Sequence, residues 1–164
     1  NVVGVTKAYL TRVGSGPFPT ELEDEVGEMI RDKGQEFGTT TGRPRRCGWL
    51  DLVMLELSHR ICGFSSLAIM KLDILSDMDE IKVCVAYKDD KGSEINHFPS
   101  SLSYLAKCEP VYKTFPGWSS SGIDIPKAII PKEMKNFLDF VSESLSIPIS
   151  IVSLGPGRDE TIIF

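Results

Sequence analysis

Short apolar runs alternate with segments of helical apolar spacing along the whole 164-residue chain. Residues 66–70 form a short apolar run that ends in charge, which is typical of a buried parallel strand. Residues 50–61 and 134–145 instead carry apolar side chains three and four positions apart, which predicts amphipathic helices. This alternation indicates an α/β fold with a mixed, largely parallel sheet flanked by helices.

Further elements follow from local signals. Residues 2–9 predict a mostly buried strand, because they are apolar and β-rich. Thr20 and Glu23 have the spacing of a capping box before a helix that ends near Gly34. The other predictions are a loop over 37–48, a hairpin of strands 83–87 and 94–98, a short helix over 100–107, an extended segment over 109–118 and strands over 149–152 and 161–164.

Composition excludes several classes of function. The formal net charge of −5, from 18 Lys+Arg and 23 Asp+Glu, argues against a general nucleic-acid binder. No apolar run approaches the ~20 residues that a membrane span requires. Cys62 and Cys84 lie in apolar contexts and the chain has no Asn-x-Ser/Thr sequon, which favours reduced thiols in an intracellular compartment. The chain begins at Asn1 without a signal-peptide pattern, inside what is predicted to be an internal strand, which predicts a fragment or a processed product.

The segment 38–49 carries the strongest signal for ligand binding. It contains three threonines, which supply hydroxyl groups, and glycines, which allow close approach of the backbone to a ligand. It also contains the planar guanidinium groups of Arg43, Arg45 and Arg46, which suit phosphate and carboxylate. In an acidic protein this cluster predicts a local anion site. The alternative is a solvated basic loop whose arginines pair with surface acids.

Three more loops follow apolar strands. Lys71-Leu72-Asp73 places a carboxylate where it could accept hydrogen bonds from N1 and the exocyclic amino group of guanine; the alternative is a charged strand exit. The backbone groups of segment 153–157 could line one side of a ligand; the alternative is a plain turn between two strands. The glycine-rich segment 11–17 is neither a dinucleotide loop nor a Walker A loop. We expect these loops to share one edge and form one composite site.

Several of these motifs together resemble one family. Segments 11–21, 36–46 and 48–51 closely resemble adenylosuccinate synthetase in order and spacing, and so do 71–73, 116–118 and 155–158. The resemblance covers essentially all of the chain but only the C-terminal portion of the family's sequence. It implies that residues 1–164 are one part of a larger fold, a P-loop-NTPase-like C-terminal lobe with a β-hairpin.

The resemblance also implies a reaction. The family is a ligase of AMP biosynthesis that joins IMP to L-aspartate, using GTP and Mg²⁺, and gives adenylosuccinate, GDP and phosphate. It acts as a cytoplasmic homodimer, with neither nucleic acid nor membrane as a partner. The family's phosphate loop and its catalytic Asp and His precede the matching segment, so this chain alone is predicted to be inactive and to hold no metal ligand. A non-catalytic guanine-nucleotide-binding or interaction module is the alternative.

The resemblance implies two groups of binding residues. Those for aspartate and IMP are Val13, Thr39, Thr40, Thr41, Gly42, Arg43, Pro44 and Arg45. Those for GTP are Arg45, Lys71, Leu72, Asp73, Ser153, Leu154 and Gly155. Met70 stands where the family usually has Thr, but Lys71 and Asp73 match the pattern.

Overall fold

A computed structural model describes residues 1–164. The strands are β1 (Val3–Lys7), β2 (Tyr9–Arg12), β3 (Arg46–Asp51), β4 (Ser66–Met70), β5 (Glu80–Lys88), β6 (Glu94–Ile95), β7 (Glu109–Pro116), β8 (Ile149–Ser153) and β9 (Thr161–Ile163). The helices are α1 (Glu25–Lys33), α2 (Leu52–Cys62), α3 (Leu102–Leu105) and α4 (Lys132–Leu145), with 3-10 segments at Leu72–Leu75, Ser120–Gly122 and Ile125–Lys127. The predicted mixed α/β class is confirmed.

The chain divides into two compact units. The first comprises Asn1–Ala8, Ser58–Ile81 and Thr114–Phe164, and the second comprises Tyr9–Leu57 and Lys82–Lys113. The strands accordingly form two sheets, a division that the sequence pattern did not predict. None of the helices is both long enough and apolar enough to span a bilayer.

The first unit is built on the sheet β1-β4-β8-β9. Strands β1, β4 and β8 are parallel, and β9 returns antiparallel to β8. Helix α4 buries one apolar face, as its 3.6-residue period predicts. On that face the Phe137 ring lies 5.9 Å from Phe115 and 5.5 Å from Trp118 between centroids, so aromatic packing anchors the helix.

The second unit holds most of the sheet β2-β3-β5-β6, in which β5 also pairs with β7. Strand β2 is antiparallel to β3, whereas β3 is parallel to β5. The predicted hairpin is confirmed by the antiparallel pairs of Tyr87 with Ile95 and Lys88 with Glu94, although its second strand is shorter than predicted. The hydrophobic core of the second unit includes a cluster of Val53, Cys84, Tyr87, Leu105 and Cys108.

The first predicted strand is wrong in two respects. Residues 2–9 hold β1 and the start of β2, which belong to different sheets and are separated by Ala8. Strand β1 is also not mostly buried, since Val3 and Val5 are 46% and 73% exposed. The reason is its position at the edge of the sheet, where it pairs with β4 alone.

The predicted start of the first helix is also wrong. Helix α1 begins after Asp24, whose Oδ1 accepts a hydrogen bond from the Gly27 amide at 3.0 Å. Thr20 lies four residues earlier, and its carbonyl oxygen accepts a hydrogen bond from the Trp49 amide at 3.1 Å. Thr20 lies in a turn, and the bridge between Glu21 and Gly48 ties this segment to β3, so Asp24 takes the capping role. The predicted end at Gly34 is confirmed.

The boundary near residue 48 differs from the prediction as well. Residues 46–48, predicted as loop, and Leu50, predicted as helix, all lie in β3. This strand pairs on both sides, with β2 and with β5, and those pairings override the weak local strand signal. Helix α2 starts only after Asp51, whose Oδ1 accepts a hydrogen bond from the Met54 amide at 3.1 Å.

Candidate functional site

Two of the four loops meet at a cavity in the second unit. The antiparallel pair of Arg12 and Arg46 brings together the end of β2 and the start of β3, and therefore the loop that follows one strand and the loop that precedes the other. The cavity between these loops has a volume of about 530 Å³. Its lining consists of Arg12, Val13, Gly14, Ser15, Gly38, Thr41, Arg43, Pro44, Arg45 and Arg46.

Backbone hydrogen bonds close the loop that precedes β3. The Gly38 amide donates to the Arg43 carbonyl oxygen, and the Gly42 amide donates to the Gly38 carbonyl oxygen, both at 2.8 Å. Gly42 turns the chain with a φ of +64°, a conformation that glycine adopts without strain. Residues 39–44 are exposed. The loop therefore holds its own shape while its hydroxyl and guanidinium side chains are presented outward.

The arginines of this cavity differ in their partners. The exposed Arg43 guanidinium meets no carboxylate. Arg12 donates only to the carbonyl oxygens of Pro17 and Ser15, at 3.1 and 3.3 Å. The positive charges of Arg12 and Arg43 are thus uncompensated, which makes this face of the second unit suited to an anionic ligand.

Arg45 and Arg46 each meet a carboxylate. Arg45 Nη1 lies 2.8 Å from Oε2 of Glu36, and Arg46 Nη2 lies 2.5 Å from Oε2 of Glu21. The hydrogen bond to Glu21 raises the pKa of Arg46, and its guanidinium lies 5.5 Å from the centre of the Phe18 ring. Arg46 therefore has a structural role, and the expectation that its guanidinium group is available to bind an anionic ligand is wrong.

The other two loops lie at one edge of the first unit. Because β4 and β8 are adjacent and parallel, with Ile69 opposite Val152, the segments after them lie side by side. Lys71 adopts a left-handed φ of +62° and leads into the 3-10 segment Leu72–Leu75. Asp73 lies within that segment and, like Lys71, is half-buried. Lys71 and Asp73 thus both lie at the carboxyl edge of the sheet, where α/β proteins bind ligands.

The segment after β8 is a connection to β9. Ser153 Oγ donates to the Gly155 carbonyl oxygen at 3.0 Å, and the Leu154 amide donates to the Glu160 carbonyl oxygen at 2.9 Å. The Glu160 carboxylate accepts a hydrogen bond from the Gly157 amide at 2.5 Å. Leu154 and Leu72 are 6% and 0% exposed, so their side chains are buried in the first unit and present no surface to a ligand.

The comparison with protein families decides which family the chain belongs to. The sequence model described as adenylosuccinate synthetase matches residues 1–162. The chain belongs to the adenylosuccinate synthetase family. An adenylosuccinate synthetase of Picosynechococcus is 55% identical over 163 residues, and that of Desulfatibacillum aliphaticivorans is 53% identical. Each match covers 99% of this chain and 37% or 38% of the relative's length, so the chain spans little more than a third of the relatives it matches.

A solved structure agrees with this placement. The fully ligated adenylosuccinate synthetase from Plasmodium falciparum superimposes with a TM-score of 0.91 and 40% sequence identity. The match covers 99% of this chain and 39% of that chain. The predicted resemblance to adenylosuccinate synthetase is thereby confirmed, and so is the expectation that the chain matches only part of the family's sequence.

The residues present do not fit a magnesium site. Carboxylate and carbonyl oxygens are the ligands that Mg²⁺ prefers. No group of three or more His, Cys, Asp or Glu side chains is placed to hold a metal ion in residues 1–164.

Sequence patterns missed three carboxylates around the adenylosuccinate synthetase loops. Glu36 and Glu21 hold two of the arginines, and the buried Asp51 accepts a hydrogen bond from the Tyr87 hydroxyl. Burial raises the pKa of Asp51, and the hydrogen bond from Tyr87 partly opposes that shift. No local signal identifies these pairs, because their members lie between 9 and 36 positions apart in the chain.

Proposed function

We propose that this chain supplies the aspartate loop and the guanine pocket of an adenylosuccinate synthetase. The complete enzyme ligates IMP and L-aspartate in a GTP-dependent reaction of AMP biosynthesis. GTP phosphorylates the purine O6, and the amine of aspartate then displaces the phosphate. The observation that carries this proposal is the cavity of about 530 Å³ at which the exposed loop 39–44 and Val13 meet two uncompensated arginines.

The loop 39–44 suits L-aspartate. This substrate carries two carboxylates, which need a cation and several hydrogen-bond donors. The exposed Arg43 guanidinium supplies the cation, and Thr39, Thr40 and Thr41 supply hydroxyl groups. Gly42 permits the turn that presents them, and Pro44 leads back towards β3. Arg43 also reaches towards IMP, and Val13, 75% exposed at the same cavity, contacts its ribose.

The carboxyl edge of the first unit suits guanine. A carboxylate such as that of Asp73 accepts from both N1–H and the 2-amino group, whereas adenine has no proton on N1 to donate. The stem of Lys71 packs on the purine ring, and backbone groups of Ser153, Leu154 and Gly155 frame its edge. By the resemblance to the family, Arg45 also contacts GTP. Because Leu72 is buried, it supports the segment through its backbone and its packing.

The remaining properties of the enzyme also belong to this proposal. The complete protein is a homodimer in the cytoplasm and uses Mg²⁺ bound by residues outside this segment. The isolated 164-residue chain is inactive, since the phosphate loop and the catalytic Asp and His of the family lie outside it. Adenylosuccinate formation from IMP, GTP and aspartate by the isolated chain would contradict this part of the proposal.

A chimera tests the proposal. The 163 matched residues of this chain replace the corresponding part of the Picosynechococcus relative, which is 55% identical to them. We expect the chimera to form adenylosuccinate, and Asp73→Asn to raise its KM for GTP at least about tenfold, since an amide offers one acceptor instead of two. The preference for GTP over ITP, which lacks the 2-amino group, should also shrink.

Asp159→Asn is the matched control, because Asp159 is exposed in the turn between β8 and β9. It should leave both quantities unchanged. A chimera in which Asp73→Asn behaves like this control would remove Asp73 from the guanine pocket.

A further inference from the structure

Glu36 is a fully buried carboxylate, 0% exposed, three residues before the exposed loop 39–44. Its Oε1 accepts a hydrogen bond from the Tyr9 hydroxyl at 2.6 Å, and its Oε2 accepts one from Arg45 Nη1 at 2.8 Å. Tyr9 is likewise 0% exposed. The three side chains form a continuous array from the core of the second unit to the cavity.

The array fixes the orientation of its members. A buried carboxylate is tolerated only when it is paired and hydrogen-bonded, so Glu36 requires the charge of Arg45. The Tyr9 hydroxyl sets the rotation of the carboxylate, because it binds the oxygen that Arg45 leaves free. The direction of the hydrogen bond to Arg45 is therefore determined from inside the protein.

The backbone of Arg45 is held as firmly as its side chain. Its amide donates to the Glu36 carbonyl oxygen at 2.9 Å, and its carbonyl oxygen accepts from Arg31 Nε at 3.0 Å. Arg43, two residues earlier, is exposed, and its guanidinium has no such anchor. Neighbouring arginines of one loop thus differ in kind, one preorganised and one free to adjust to a ligand.

The hydrogen bond to Glu36 uses only one of the three nitrogen atoms of the Arg45 guanidinium, Nη1. Nη1 faces Glu36, which leaves the edge formed by Nε and Nη2 for another acceptor. The Arg45 side chain is 31% exposed and lines the cavity. That edge is a planar pair of donors, the arrangement that binds carboxylate or phosphate oxygens in bidentate fashion.

We propose that Glu36, supported by Tyr9, is the positioning residue that aims the Nε–Nη2 edge of Arg45 at an anionic group of GTP. This inference rests on the proposed function, which assigns Arg45 to GTP. Glu36 touches no substrate and acts only through Arg45. Removing its charge while keeping its shape should therefore affect the enzyme through GTP alone.

The test uses Glu36→Gln, Arg45→Leu and the double variant in the chimera. We expect Glu36→Gln to raise the KM for GTP by about tenfold, with the KM for aspartate within about twofold of its original value. Because Glu36 acts through Arg45, adding Glu36→Gln to Arg45→Leu should change the KM for GTP no further. Glu28→Gln is the control, since Glu28 is exposed on α1, and it should change neither constant.

Each result decides the matter. If Arg45→Leu raises the KM for GTP but Glu36→Gln leaves it unchanged, or raises it equally in both backgrounds, the positioning role is overturned and the proposed function stands. If Arg45→Leu itself leaves the KM for GTP unchanged, the GTP assignment of Arg45 fails, and the inference fails with it. Should Glu36→Gln not fold, Tyr9→Phe carries the test, with an expected rise of about threefold that disappears beside Arg45→Leu.

Discussion

The Arg46 guanidinium meets the Glu21 carboxylate through two hydrogen bonds, Nε to Oε1 at 2.7 Å and Nη2 to Oε2 at 2.5 Å. The remaining donor, Nη1, reaches the carbonyl oxygens of Gly14 and Gly16 at 3.1 and 2.8 Å. One side chain of β3 thus holds the glycine-rich loop that follows β2. Val13, proposed to contact IMP, owes its position at the cavity to this arrangement.

Arg46→Lys should destabilise the second unit and loosen the glycine-rich loop. A lysine carries the charge but cannot form the two-pronged contact with Glu21, so we expect a loss of about 1–3 kcal/mol in the free energy of unfolding. Urea denaturation measures this loss, and hydrogen exchange of the amides of residues 14–16 measures the loosening. Lys127→Gln removes the exposed pair with Asp124 and should cost at most about 0.5 kcal/mol. Equal costs for the two variants would contradict this role of Arg46.

Tyr87→Phe should expose the dependence of the second unit on a buried carboxylate. The Tyr87 hydroxyl donates to Oδ2 of Asp51, and both residues are at most 2% exposed. Without the hydroxyl, that oxygen loses its donor inside the core, which should cost about 1–3 kcal/mol in urea denaturation. Tyr104→Phe removes a hydroxyl that bonds Asp89 near the surface and should cost less. The idea fails if Tyr104→Phe is the more damaging change.

The pH dependence of stability should carry the signature of Asp51. Burial raises the pKa of Asp51 above its ordinary value of 3.8, so the folded state holds this proton more tightly than the unfolded state does. The stabilisation from Asp51 is therefore fully present below pH 3.8 and is lost as the pH rises through the higher pKa of the folded state. Asp51→Asn does not titrate, and the stability of the wild type relative to this variant should fall as the pH rises above 3.8. A relative stability that is constant or rises with pH would contradict the burial effect.

Gly42→Ala should separate the shape of the exposed loop from general stability. Gly42 has a φ of +64° and Gly92, in the hairpin turn, has a φ of +80°, and neither would place a Cβ within 4 Å of another group. Alanine at either position should therefore cost about 1–2 kcal/mol of backbone strain. In the chimera only Gly42→Ala should raise the KM for aspartate, because only this turn presents the threonines and Arg43. If Gly92→Ala raises that KM as much, the effect is one of stability alone.

Elements with a strong local signal could be predicted from the sequence. Helix α4 has five buried residues at helical spacing, and β4 is a short apolar run that ends in charge, so each is determined largely by its own residues. Strand β3 begins with Arg46, Cys47 and Gly48, which have little strand character, and it is a strand because β2 and β5 pair with it. The division into two sheets likewise depends on pairings between distant segments.

The candidate site, like the fold, could be predicted only where the signal lies in contiguous residues. The ligand loops could be found because each is a contiguous motif with a distinctive composition. The partners that hold them could not, since Tyr9 lies 27 positions from Glu36, and Glu21 lies 25 positions from Arg46. Burial of a glutamate such as Glu36 runs against its hydropathy, and only the folded structure shows the tyrosine and arginine that make it possible.

The kinetics of Arg43→Leu in the chimera test the central claim most directly. If the exposed loop binds L-aspartate, loss of its unanchored guanidinium should raise the KM for aspartate at least about tenfold and leave the KM for GTP within about twofold. An unchanged KM for aspartate, or a change confined to the KM for GTP, would contradict the assignment of this loop to aspartate.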